Sequence, residues 1–337
     1  MTNNVLNWGI LSTARINRAL ITPLRASKRN QLLAVASRTQ ESADTYAREW
    51  KIPRAHGAYA ALLADPEIDV IYISLPNRFH AEWTIKAVEA GKHVLCEKPL
   101  ALSVQEVDAV QSAARKHGRV VEEAFMYRHH PQTLEVQELV KSGSLGDLKV
   151  VRGSFSFVIS RDGDVRLDPE LGGGSIWDIG CYPISYARTV IGTAPLEVFG
   201  WQVTGPTGID ETFVGQMRFA NDVHAQFDSS FVLPFQARME IVGSEGTLSI
   251  PAPFKPGTDE KIHLTRGDRT ETIQIKGQEL YIGEVEDVAD AVLLGREPRI
   301  SLDDSRANVA VICSLLESAR AGRPVRLSLL DRTASLD

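Results

Sequence analysis

The sequence predicts an α/β chain in two parts: a parallel sheet wrapped by helices, then an α+β domain on a large, mostly antiparallel open sheet. Up to about residue 125, short apolar runs alternate with segments of helical period, the pattern of βαβ units whose sheet is buried on both faces. Beyond it, apolar residues recur at every second position in several neighbouring runs, as in strands with one dry and one wet face. A length of 337 residues suits two domains better than one core, and the expected division is 1–125 and 126–337.

Taken in order, residues 5–11 form the first strand. Ile16, Leu20 and Leu24 then give residues 15–25 one apolar helical stripe, which Pro23 is expected to kink or shorten. Residues 32–37 make a second strand and 41–50 a second helix. Residues 70–74 are a short apolar strand ending at Leu75-Pro76-Asn77, and the helix 81–90 stops at Gly91. Strand 93–96, helix 104–117 closed by Gly118, and strand 119–123 complete the first part. In the second part, Phe155, Phe157 and Ile159 alternate with other residues, as do Phe213, Met217 and Phe219. Val223, Ala225, Phe227 and Phe231 alternate against His224, Gln226 and Asp228. Two helices follow, 284–294 before Gly295 and 304–321 before Gly322, the second striped by Val309, Ile312, Leu316 and Ala319.

Composition removes several function classes. The net charge of −6 comes from 37 basic and 43 acidic residues without a block of either sign, so there is no electrostatic footprint for nucleic acid. Cys96, Cys181 and Cys313 lie far apart, which argues against a disulfide framework or structural zinc and fits a reducing compartment. The histidines include one adjacent pair, His129-His130, and no His-x-x-x-His spacing, so a metal is not expected; His224, alternating on a strand, reads as a sheet residue. Met1-Thr2-Asn3-Asn4 lacks a basic leader and the apolar stretches are strand-length, so neither signal peptide nor membrane span is expected and the reading is cytoplasmic.

The first βα turn reads Gly9-Ile10-Leu11-Ser12-Thr13-Ala14-Arg15-Ile16-Asn17. A dinucleotide fingerprint has glycines spaced G-x-G-x-x-G, and this register has Ser12, Ala14 and Asn17 instead. Serine and alanine are still small enough for backbone to approach a pyrophosphate, and the helix amides behind them point at an anion. An ordinary βα turn reads the same way. At the end of the second strand, Ser37-Arg38-Thr39 offers a hydroxyl and a guanidinium where NAD sites carry an acid for the ribose 2′-hydroxyl. Arginine forks onto a 2′-phosphate, so NADP is favoured over NAD; a solvated strand-end arginine is the plainer reading.

Lys98 in Glu97-Lys98-Pro99 follows an apolar strand, and Pro99 biases its backbone to extended. That places a cation where open α/β sheets bind ligands, against the commoner fate of a surface lysine. Asp178 and Tyr182 are four apart after the flexible run Leu171-Gly172-Gly173-Gly174-Ser175, so a helical turn puts them on one face. A helix cap and a core tyrosine are the plainer readings. A phenol, with an ordinary pKa of about 10, accepts a proton near neutrality only beside a cation, for which Lys98 is the candidate.

These segments together resemble the Gfo/Idh/MocA family of NAD(P)-dependent sugar oxidoreductases over nearly the whole chain. The resemblance is carried by residues 9–16, Ser37-Arg38, Leu75-Pro76-Asn77 with His80, and Glu97-Lys98-Pro99. It continues in residues 123–131, in Arg166-Leu167-Asp168-Pro169 leading into Gly172-Gly173-Gly174, and in residues 177–182. Within the family the chain is most similar to the branch holding NADP-dependent D-xylose dehydrogenase, dimeric dihydrodiol dehydrogenase and glucose–fructose oxidoreductase. Many members carry histidine where this chain has Tyr182; this branch uses tyrosine.

The resemblance implies a Rossmann domain followed by an α+β domain whose open sheet often forms a dimer face, hence a homo-oligomer (dimer or tetramer). It implies Lys98 as the essential lysine, Tyr182 as general acid/base and Asp178 orienting substrate or lysine, with Arg166 contacting substrate. NADP would be lined by Ser12, Thr13, Ala14, Arg15, Ile16, Ser37, Arg38, Leu75, Pro76, Asn77, His80, Glu97, Lys98 and Arg128. The expected activity is hydride transfer between C1 of a cyclic aldose, of the D-xylose or D-glucose type, and the nicotinamide, giving a lactone. Ketosugar reduction, transfer between two aldoses with retained NADP, and trans-dihydrodiol oxidation remain open, since the loop from Arg161 to Leu171 sets substrate choice. An NADP-binding redox sensor is the reading from outside enzymology.

Overall fold

The computed structural model of the chain describes residues 5–160 and 163–327, so Met1-Thr2-Asn3-Asn4 and Arg161 lie outside the described residues. The chain groups into two compact units, Met1–His129 with Gln278–Arg306, and His130–Gly277 with Ala307–Asp337.

The first unit opens with β1 (Leu6–Leu11), α1 (Asn17–Ala26), β2 (Asn30–Ala36), α2 (Gln40–Trp50), β3 (Arg54–His56), α3 (Tyr59–Leu63) and β4 (Val70–Ile73). It continues with α4 (His80–Glu89), β5 (His93–Glu97), α5 (Val104–His117) and β6 (Val121–Ala124). All six strands are parallel in the order β3-β2-β1-β4-β5-β6, so the order reverses between β1 and β4, and ligands of such sheets bind at the carboxyl ends beside that switch point. Both faces are covered, and β4 is buried at every position. α5 shows how locally a helix can be specified: the Ser103 hydroxyl accepts the Glu106 N–H, the Glu106 carboxylate accepts the Leu102 N–H, and Gly118 closes the helix at φ +60°. α1 departs from expectation, because it runs on through Pro23 to Ala26. Pro23 forgoes the bond that an N–H would make to the carbonyl four residues back, and burial of its ring offsets part of that loss.

The second unit contains α6 (Pro131–Lys141), β7 (Leu148–Ser156), α7 (Cys181–Ile191), β8 (Glu197–Thr204), β9 (Asp210–Arg218), β10 (His224–Ser230) and β11 (Gln236–Gly243). β12 (Thr247–Ile250), β13 (Asp259–Arg266) and β14 (Arg269–Lys276) follow. α8 (Ile282–Leu294) packs in the first unit, where Arg29 pairs with Glu286 and Asp290. α9 (Leu302–Ala321) and β15 (Val325–Arg326) end the described chain. The nine strands order as β14-β13-β12-β11-β7-β10-β9-β8-β15, antiparallel except for the β7–β10 pair. Alternation along β9 buries Phe213 and Met217 and exposes Val214, as the period-two pattern requires. Among the described residues no helix is long and apolar enough to cross a membrane.

His93 on β5 provides a test of the first unit's packing. Burial, reinforced by the Arg119 guanidinium, pushes its pKa down to about 4, and its Nδ1 accepts the Val120 N–H at 3.0 Å. The unfolded chain therefore binds more protons than the folded one between about pH 6.5 and about pH 4, and stability falls as pH falls through that window. In His93→Gln, urea unfolding across that window should show a slope shallower by about one proton.

Candidate active site

In the first unit β1 delivers the chain into the turn Ser12 to Ile16. Ser12 stands at φ +141°, a strained region for a residue with a side chain. Its hydroxyl lies 2.8 Å from that of Ser74 and accepts the Ala14 N–H at 3.0 Å, while its carbonyl accepts Asn17 Nδ2 at 2.9 Å. Hydrogen bonding thus enforces a turn that glycine would reach by freedom alone. No side chain caps α1, which suits an anion at its N-terminus. Thr13 and Ala14 are half-buried, and Arg15 and Ile16 are exposed.

Ser37, just past β2, is buried and donates its N–H to the His56 carbonyl, whereas Arg38 is exposed. Burial pushes the Tyr59 phenol's pKa up, and the Arg38 guanidinium opposes that shift. Leu75, Pro76 and Asn77 follow β4, half-buried, and lead through a 3-10 turn into His80. His80 is 1% exposed, with Nδ1 2.7 Å from the Pro99 carbonyl and Nε2 2.6 Å from that of Leu75.

At the end of β5 the Tyr72 hydroxyl donates to Glu97 at 2.5 Å, and Lys98 is half-buried. Fully buried Glu123 accepts the Leu100 N–H at 2.9 Å and so fixes the chain beyond Pro99. Arg128 donates to Asp304 at 2.7 Å; burial disfavours its charge, but the carboxylate more than offsets this and its pKa rises. The first unit therefore brings the serine turn, the Leu75–Asn77 segment and Lys98 to the carboxyl ends of β1, β4 and β5.

Among the described residues one group of metal-ligating type, Glu122, His129 and Asp287, has ligand atoms within 4.8 Å of one another. Burial pushes the Glu122 carboxyl up, toward a neutral form that suits a cation poorly, and pushes His129 down to about 3, which leaves its imidazole neutral.

In the second unit a single π-helical turn, Ile176–Gly180, precedes α7. Such wide turns cluster at functional sites, and this one replaces the plain α-turn expected from the spacing. Its Asp178 accepts from Arg166 Nε at 2.7 Å. Asp164 accepts both the Arg166 backbone N–H at 3.1 Å and its Nη1 at 3.3 Å, and the two acids, Asp178 first, raise the guanidinium's pKa. Tyr182, 5% exposed, packs against Phe155 and Phe254 with ring centroids 5.4 and 5.5 Å away.

The turn is anchored from β9. Asp210 Oδ2 accepts the Ser175 hydroxyl and the Ile176 N–H, each at 2.8 Å, and Gly174 at φ +122° leaves room for it: a Cβ there would stand 2.3 Å from Asp210 Oδ1. Burial raises the Asp210 pKa to about 6 despite these donors. Glu123 and Asp304 in the first unit, and Asp164, Asp210 and Phe254 in the second, were not singled out from sequence. Only Glu123 sits inside a segment that carried the resemblance.

Folds and sites of this kind define a dinucleotide-dependent oxidoreductase. The chain belongs to the Gfo/Idh/MocA oxidoreductase family: residues 6–125 match its NAD-binding Rossmann fold and residues 133–249 its C-terminal domain. It is 37% identical over 325 residues to D-xylose 1-dehydrogenase (NADP(+)) 2 of Haloferax volcanii, covering 95% of this chain and 99% of that one. It is 31% identical to the trans-1,2-dihydrobenzene-1,2-diol dehydrogenase of Xenopus laevis, covering 92% and 97%. Among solved structures it is similar to the aldose-aldose oxidoreductase of Caulobacter crescentus complexed with glycerol, at TM-score 0.89 and 27% identity, covering 96% of this chain and all of that one.

Asp210→Ala would leave the buried Ile176 N–H without its acceptor and shift the Ser175 hydroxyl onto Ser229 alone. It should cost about 1–3 kcal/mol in urea unfolding and depress turnover by displacing Asp178 and Tyr182.

Proposed function

We propose that this enzyme is an NADP-dependent aldose 1-dehydrogenase that oxidises a free cyclic pentose or hexose to its lactone. The observation that carries the reading is near-complete similarity to a D-xylose 1-dehydrogenase (NADP(+)), with Lys98, Asp178 and Tyr182 all present. The residues present fit the cofactor: Ser37 and Arg38 stand at the end of β2 without the acid that NAD calls for, and the Ser12 turn leads into an uncapped helix. When bound, NADP supplies the nicotinamide C4 that accepts the hydride. Tyr182 takes the proton of the anomeric hydroxyl as the C1 hydride leaves, and later passes it to water. Lys98 lowers the phenol's pKa and holds the reacting oxygen. Asp178, aimed by Arg166, orients the sugar hydroxyls.

Charge supports an unphosphorylated substrate. From residue 163 to 178, Asp164, Asp168, Glu170 and Asp178 face a single cation, Arg166, which Asp164 and Asp178 already occupy. A sugar phosphate would meet uncompensated carboxylates there, whereas a neutral polyol finds hydrogen-bond acceptors. Trp201 on β8 pairs across to Val214 on β9, and both are exposed, which supports assembly through the sheet as a homo-oligomer.

The test is a screen of aldoses, ketosugars and dihydrodiols followed by NADPH absorbance, in which free aldoses should be best and no substrate would remove the reading. Tyr182→Phe should lower kcat by ~10²–10⁴-fold with NADP affinity little changed. Arg38→Ala should raise KM for NADP and leave that for NAD in place; better use of NAD by the wild type would overturn the assignment of Arg38.

A further inference from the structure

His80 is expected to line the cofactor, yet both of its ring nitrogens are already committed. Nδ1 lies 2.7 Å from the Pro99 carbonyl and Nε2 2.6 Å from the Leu75 carbonyl, and the side chain is sealed from solvent. A carbonyl oxygen can only accept. A neutral imidazole has one N–H, so either tautomer would press a nitrogen lone pair against a carbonyl lone pair at hydrogen-bond distance. The imidazolium alone donates at both ends.

We propose that His80 is a positioning residue that works as an imidazolium, donating to Pro99 and to Leu75 and so clamping the Lys98 turn to the Leu75–Asn77 segment. Burial, joined by the Lys98 ammonium, lowers the pKa on balance, although the two carbonyl acceptors act to raise it; the geometry of two acceptors, to which a neutral ring can donate only once, is what argues for the cation. Burial keeps Tyr72 on β4 and Cys96 on β5 protonated and His93 neutral, and Glu97 is bonded to Tyr72. Arg78 on the preceding turn and Arg115 and Lys116 on α5 are exposed. The clamp spans segments that are 24 residues apart in sequence (Leu75 to Pro99) and acts on the backbone after Lys98 rather than on its side chain. The link to catalysis rests on Lys98 being the essential lysine, but the charge state does not.

The test is NMR of the full chain with 15N-labelled histidine, from about pH 6 to about pH 8, spanning the ordinary histidine titration. One histidine should keep both ring nitrogens protonated throughout, and its signals should vanish in His80→Gln. A His80 ring with one protonated nitrogen at neutral pH overturns the proposal, and the wild-type spectrum decides this even if the variant does not fold. The folded His80→Gln enzyme should lose at least roughly tenfold in kcat while KM for the sugar holds, as misplacement of a catalytic group predicts. A kcat within about twofold of wild type would also overturn the clamp. A fully active Lys98→Ala would instead remove the proposed chemistry and leave the spectroscopic result standing.

Discussion

A lysine such as Lys98, proposed to handle substrate, must be aimed by its backbone, because a flexible four-carbon side chain cannot aim itself. The turn after β5 answers that constraint with polar anchors on the main chain. Glu123 accepts the Leu100 N–H, His80 reaches the Pro99 carbonyl, and parallel pairing sets Cys96 opposite Ile73 on one side and Glu123 on the other. Burying a carboxylate and an imidazole costs free energy unless each finds partners. Here each buried group restrains a main-chain segment next to Lys98, so the desolvation cost is converted into fixed geometry.

The second unit follows the same logic with different parts. Asp210 reaches from β9 to hold the start of the π-turn, as Glu123 reaches from β6 to hold the turn after β5. Asp178 is then aimed by Arg166, and Tyr182 is confined by Phe155 from β7 and by Phe254 beyond β12. Aromatic walls fix the plane of the phenol and thin the water around it, which strengthens whatever charge acts on its oxygen. In both units the candidate residues sit on a short local turn, and a residue distant in sequence restrains that turn.

That division explains what sequence could and could not reveal. The βα alternation of the first unit is written locally, and α5 matches its expected bounds because Ser103, Glu106 and Gly118 are adjacent to what they terminate. β3 and α3 escaped because three and five residues are too few to display a period. The strands β11 to β14 escaped because runs such as Arg269–Lys276, exposed at most positions, carry little apolar contrast. Lys98, Asp178 and Tyr182 could be singled out as candidates because the proposed chemistry restricts residue type within a short motif. Asp210, 35 residues from Ser175, and Asp304, 176 from Arg128, were not, since nothing nearby in the chain marks a carboxylate whose partner lies across the fold. The π-turn was equally hidden: the spacing of Asp178 and Tyr182 is compatible with either helical register, and the anchor that accompanies the wider one comes from another strand.

The placement of cations adds a last step. In a chain of net charge −6, an arginine left exposed at a strand end and one enclosed by two acids have different physical roles. Arg38 carries its charge outward at the end of β2, with a buried serine before it and no acid at the adjoining strand end, so it can attract phosphate. Arg166 gives its charge to Asp178 and Asp164, so the segment around it stays acidic and works through shape and hydrogen bonding. On the proposed reading, the first unit is thus equipped to hold a polyanion and the second to hold a neutral polyol. A dehydrogenase using a phosphorylated cofactor on an unphosphorylated sugar needs that asymmetry, because cations generous enough to bind a phosphate in both units would let sugar phosphates compete for the substrate site.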